Sequence, residues 1–158
     1  MQISGANIIG YTESSSGSQT FQTFNPAENR SNETSFFEAV ESEVQQALAL
    51  AEKAFPIYAQ KPVADRIAFL KRVVSLLLEN QNMLIQHYVL ESGLAFSRGE
   101  TELKRTCVQI ETFLKVIEAE SWPIQSEETA PNGIYFQKRF APLGPVVVFG
   151  ASNFPFAY

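Results

Sequence analysis

The sequence predicts an α/β chain that is helical for most of its length, with short strands before the helices and one strand after them. Three observations carry this. Residues 1–37 read as extended and irregular, with short apolar stretches separated by the polar tract SSSGS. Through residues 38–122, apolar side chains recur at steps of three and four, the helical period. Further on, VVVF stands between Gly144-Pro145 and Gly150, and four consecutive bulky apolar residues suit a strand covered on both faces, as in the first strand of a parallel α/β sheet.

The first elements are NIIGYT and QTFQTFN, both strand candidates, and no helix is expected among residues 1–37. From Glu38 onward, Val40, Val44, Ala47, Leu48, Ala51, Ala54 and Phe55 fall on one helix face, and Pro56 is expected to kink or end that helix. A second helix is expected from Pro62, a residue suited to a first turn. It turns Ile67, Leu70, Val73, Val74 and Leu77 inward and ends at Asn80 and Asn82. MLIQHYVLES forms a third, with Gly93 as its stop. The fourth runs from about Ser97 to Ser121 with Leu103, Cys107, Ile110, Phe113, Leu114 and Ile117 at helical spacing, closed by Trp122 and Pro123. QSEETAPNG reads as a polar connector, and IYFQKRF after it returns to strand character.

A chain of 158 residues, 45% hydrophobic and 18% charged, can bury one core, so one domain is expected. The net charge of −5, with no run among the 12 Lys and Arg residues, argues against nucleic acid as a partner. The N-terminal residues carry no basic region of a secretory signal, and no stretch approaches the roughly 20 apolar residues of a membrane span. A cytoplasmic protein without a membrane partner is expected. Cys107, the single cysteine, excludes an intrachain disulfide and a multi-cysteine metal site.

Among candidate sites, His87 has no second histidine or carboxylate cluster beside it and reads as structural rather than as a metal ligand. The spacing of Cys107 from Leu103 and Ile110 aims it at the core, where a thiol behaves as a small hydrophobe. Glu100, Glu102, Lys104 and Arg105 read as a solvated helix face. GASNF departs from the nucleophile elbow G-x-S-x-G at its fifth position, Phe154, and Ser152 lacks a histidine partner; G-x-G-x-x-G is absent. There remains a strand ending in a polar turn, the place where open α/β sheets bind ligands. Asn153 can donate hydrogen bonds without carrying charge, which suits a developing oxyanion, although composition alone favours a plain turn asparagine.

The order of FNPAENR, ESEVQQALALAEKAFPIYA, PVADRIAFLKRVVSLLLENQ, ESGL, RGETELKRT and PLGPVVVFGASNFPFAY resembles the N-terminal portion of an aldehyde dehydrogenase, over nearly the whole chain from Gln22 onward. ESGL, RGETELKRT and GASNFP together resemble the 2,5-dioxovalerate (α-ketoglutarate semialdehyde) dehydrogenases of that superfamily. The resemblance implies that residues 1–158 open a Rossmann-type NAD(P)-binding domain: strands and loops over 1–37, a helical region over 38–122, and the start of the cofactor sheet over 134–158. It implies that Asn153 helps form the oxyanion hole, and that Phe149, Gly150, Ala151 and Ser152 lie beside the nicotinamide ribose of NAD or NADP. It implies a small carboxylated aldehyde as substrate and a homo-oligomer at full length. The family's attacking cysteine and its glutamate base have no counterparts here, so the chain is expected to be inactive alone. The other reading is a short, catalytically dead relative that serves as a helical interaction module.

Overall fold

A computed structural model describes residues 3–119, 126–138 and 140–157. Two antiparallel hairpins come first. Strands β1 (Asn7–Ile9) and β2 (Thr12–Ser14) pair across a turn at Gly10, whose φ of 64° lies in the left-handed region that glycine adopts freely. NIIGYT is therefore a strand and its turn rather than one strand. Strands β3 (Thr20–Asn25) and β4 (Arg30–Phe37) follow, with a register irregularity between Gln22 and Phe24. The buried Asn25 side chain shapes their connection by accepting the Ala27 and Glu28 N–H groups at 3.0 and 3.2 Å.

Four helices follow: α1 (Glu41–Ala59), α2 (Val63–Glu79), α3 (Gln81–Ser92) and α4 (Phe96–Glu118). Helix α1 continues through Pro56. The proline stands within one turn of the helix end, so few helical bonds lie beyond it, and the Lys61 N–H closes the last turn on Tyr58 O at 3.1 Å. Pro62 precedes the first residue of α2, and Asn80 ends it, whereas Asn82 already belongs to α3. Gly93 terminates α3 in the left-handed conformation at φ 66°, its N–H bonded to Val89 O at 2.9 Å. The expected helix end at residues 121–123 lies outside the described residues.

The core forms where α2 and α3 pack on α4. Val74, Ile85, Tyr88, Leu103, Cys107 and Leu114 are buried there, and Ile9 is buried separately under the first hairpin. Phe113 departs from expectation and is 55% exposed. Successive helix positions lie about 100° apart, so residues 113 and 114 cannot both face the same neighbour, and Leu114 takes the core side. Gly99 lets α3 approach closely: a Cβ there would stand 2.9 Å from Ile85 Cγ2 and 3.1 Å from Tyr88 Cδ1.

Beyond α4 the strand character expected of IYFQKRF is present, whereas the expected connector before it and the VVVF strand after it differ from expectation. Ser126–Thr129 forms β5 and pairs antiparallel with β6 (Tyr135–Lys138) around a turn at Gly133, so the SEET segment is half of a hairpin. Its four side chains are exposed, which explains why composition alone reads it as loop. VVVF forms no paired strand among the described residues, and its four side chains are 67–91% exposed instead of covered on both faces. A strand requires a neighbour's backbone, and none of the described strands pairs with it. Among the described residues, no helix is long and apolar enough to cross a membrane.

Candidate functional site

The polar turn over residues 152–157 lies against the α3–α4 seam, and α4 supplies most of its contacts. Glu102 is the centre of this arrangement. Only 4% exposed, its carboxylate accepts the Tyr88 hydroxyl at 2.9 Å, the Arg98 Nε–H at 3.0 Å and, more weakly at 3.4 Å, the backbone N–H of Phe156. The Thr106 hydroxyl, one helical turn further along α4, donates to the Phe156 carbonyl. Both polar backbone groups of Phe156 are thus held by α4, and its ring stacks on Tyr88 with centroids 5.1 Å apart. Arg98 reaches further. Its Nη2 donates to Asn153 O at 3.1 Å, and its guanidinium lies 5.2 Å from the Phe154 ring centre.

The electrostatics follow from this geometry. Burial, the largest influence on Glu102, pushes its carboxyl up. Three donors, Tyr88, Arg98 and the Phe156 N–H, outweigh burial and hold it below the ordinary glutamate range. Tyr88 moves the opposite way, raised by burial and by the carboxylate it bonds.

Asn153 is positioned through its backbone, while its side chain is exposed and its amide makes no hydrogen bond among the described residues. Ser152 is exposed and Ala151 half-buried. Around Gly150 there is open space, with no heavy atom within 4 Å of where a Cβ would lie, and Phe149 is 91% exposed. Residues 149–153 therefore present accessible backbone and an uncovered ring followed by a neutral amide donor.

Elsewhere the sequence candidates divide. Cys107 is buried, and burial followed by the charge of Glu111 pushes its thiol up, the opposite of an activated nucleophile. His87 lines a hollow of about 330 Å³ with Arg30, Glu33 and Glu91. Among the described residues no three His, Cys, Asp or Glu side chains are grouped to hold a metal ion. Glu102 is the correction: placed on a solvated face by its sequence, it is the buried hub of the turn. A signal was available, because Glu102 and Thr106 lie three and seven residues after Gly99, on the stripe beside Leu103 and Cys107. Glu43, which drew no notice in the sequence, is also buried and accepts the Ser14 hydroxyl and the N–H groups of Ser16 and Val40. It fastens the first hairpin to the start of α1.

A helical layer is thus followed by a bare apolar run that ends in a turn with an exposed amide. The family model of the aldehyde dehydrogenase family matches residues 11–158, and the chain belongs to this family. It is 32% identical over 165 residues to alpha-ketoglutaric semialdehyde dehydrogenase 2 of Azospirillum brasilense, covering 100% of this chain and 31% of that protein. An N-succinylglutamate 5-semialdehyde dehydrogenase of Legionella pneumophila (strain Corby) is 28% identical, over 74% of this chain and 23% of its own length. Among solved structures, an NAD-dependent benzaldehyde dehydrogenase from Corynebacterium glutamicum superposes with a TM-score of 0.72 at 18% identity, over 82% of this chain and 28% of that one. An aldehyde dehydrogenase from Mycobacterium tuberculosis complexed with NAD+ gives 0.67 at 21% identity, over 82% of this chain and 26% of that one. The chain spans less than a third of the length of these relatives.

Proposed function

We propose that this chain is the N-terminal part of an NAD(P)-dependent oxidoreductase that converts a short carboxylated aldehyde, of the α-ketoglutarate semialdehyde type, to its acid. Two similarities support the substrate class, since both curated relatives are named for semialdehydes of carboxylic acids. The observation that carries the site is the Asn153 turn: its backbone is held by Arg98 while its amide is exposed. A donor fixed through its main chain loses little freedom when a carbonyl oxygen arrives, and an uncharged N–H can stabilise that oxygen as it becomes negative. Phe149, Gly150, Ala151 and Ser152 would lie along the nicotinamide ribose. The cofactor, when bound, supplies the hydride acceptor. Asn153 orients the aldehyde oxygen, and the uncovered Phe149 ring would help exclude water from its neighbourhood.

In this reading the 158 residues alone do not turn over aldehyde, because the attacking thiolate and the general base come from sequence beyond them. The test is reduction of NAD and NADP by the full-length protein with a short ω-carboxylated aldehyde, beside its Asn153→Ala and Ser152→Ala forms. Asn153→Ala should lower kcat about 10²–10³-fold with little change in KM or cofactor affinity. Ser152→Ala should leave kcat within a few-fold. Activity of Asn153→Ala within threefold of the parent would refute the role given to this amide.

A further inference from the structure

We propose that Glu102, acting with Tyr88 and Arg98, is a positioning group that fixes the backbone of the 153–157 turn and thereby the direction of the Asn153 amide. The part concerning Asn153 rests on the function proposed above; the latch itself rests on geometry alone. A buried carboxylate between two helices needs donors, and here they come from three sources: α3 (Tyr88), α4 itself (Arg98) and the turn (the Phe156 N–H). The turn is consequently tied to helix positions that pack in the core and cannot drift. Arg98 ties both ends of the device together, since one guanidinium bonds Glu102 through Nε and Asn153 O through Nη2. Thr106 restrains the Phe156 carbonyl, and Tyr88 stacks on the Phe156 ring while its hydroxyl serves the carboxylate.

A purely structural ion pair would need only Arg98, which is an i,i+4 neighbour of Glu102 and part-exposed. The additional donors converge on the turn instead. Glutamine at position 102 keeps the volume but brings one NH2 group, and whichever way its amide lies, a donor then faces a donor, either the Phe156 N–H or the Arg98 Nε–H. Tyr88→Phe deletes one hydroxyl and leaves the ring stacking intact.

The test compares amide hydrogen exchange and steady-state kinetics of the full-length protein with those of Glu102→Gln, Tyr88→Phe and a control, Ile85→Val. The control loosens the same α3–α4 seam without touching the latch. Exchange over residues 153–157 should quicken about 10- to 100-fold in the first two variants, beyond any change in the control, while residues 108–114 of α4 keep their protection. In those variants kcat should fall more than KM changes. Unchanged exchange in the turn relative to Ile85→Val overturns the proposal, as does loosening spread evenly over α4. Should Glu102→Gln fail to fold, Tyr88→Phe decides alone. A loosened turn with undiminished kcat upholds the latch and refutes the catalytic part given to Asn153, so the two ideas fail separately.

Discussion

Gly99→Ala isolates the closeness of the α3–α4 seam in one methyl group. The added Cβ would stand 2.9 Å from Ile85 Cγ2 and 3.1 Å from Tyr88 Cδ1, where ordinary contact begins at 3.4 Å. Neither neighbour yields easily. Ile85 is 1% exposed and β-branched, which leaves it few rotamers, and Tyr88 is held by Glu102 and by stacking on Phe156. Overpacking of this kind costs about 1–3 kcal/mol, and pinned neighbours place it toward the upper end. Against it stands the helix preference of alanine over glycine, about 1 kcal/mol. The net loss is about 1–2 kcal/mol, a fall in Tm of about 2–8 °C for a chain of this size, measured by circular dichroism melting and by urea unfolding at constant m. A double variant with Ile85→Ala sharpens the test. Removing the Cγ2 methyl relieves the clash, so the combined loss should fall short of the sum of the single losses by about 1 kcal/mol or more. Gly99→Ala as stable as the parent, or additive with Ile85→Ala, would show that the seam opens freely and that the close packing does not govern stability.

Three further outcomes are expected. Glu102 and Glu43 both have carboxyls held below the ordinary range, Glu102 against burial by Tyr88 and Arg98, and Glu43 by the Ser14 hydroxyl first and then the Val40 N–H. Depressed folded values give stability that is complete above the free glutamate value of about 4.3 and is lost as pH falls through the folded values, so urea midpoints should be level near neutrality and decline below about pH 4.5, less steeply in Glu102→Gln. Gly17→Ala should cost about 2 kcal/mol or more and melt the N-terminal hairpins first, because its Cβ would lie 2.0 Å from the backbone oxygen of Glu38; exchange over residues 5–20 reads this directly. Cys107 should react with a thiol alkylating reagent only as fast as the protein opens, and labelling at the rate of a free thiol under native conditions would contradict its burial.

The sequence by itself determined the helices most firmly. The apolar spacing of α2 and α4, Pro62 before α2 and Gly93 after α3 are local properties, and the backbone obeys them wherever it stands. It also marked the turn at 150–155 as the place to look, through residue types that limit backbone choice. Tertiary structure decided what each polar residue does. Glu102 stands among the charged residues Glu100, Lys104 and Arg105 but beside the stripe of Leu103 and Cys107, and Tyr88 from α3 and Phe156 from a segment more than fifty residues away join Arg98 in making it a buried hub. The pairing of Ser126–Thr129 with Tyr135–Lys138 likewise exists only because a second strand supplies its hydrogen bonds. VVVF shows the converse: strong strand composition yields no ladder where no described neighbour pairs with it. Helical hydrogen bonds close within four residues and can be read from the chain, whereas burial, strand pairing and the environment of a charge depend on residues brought near by folding.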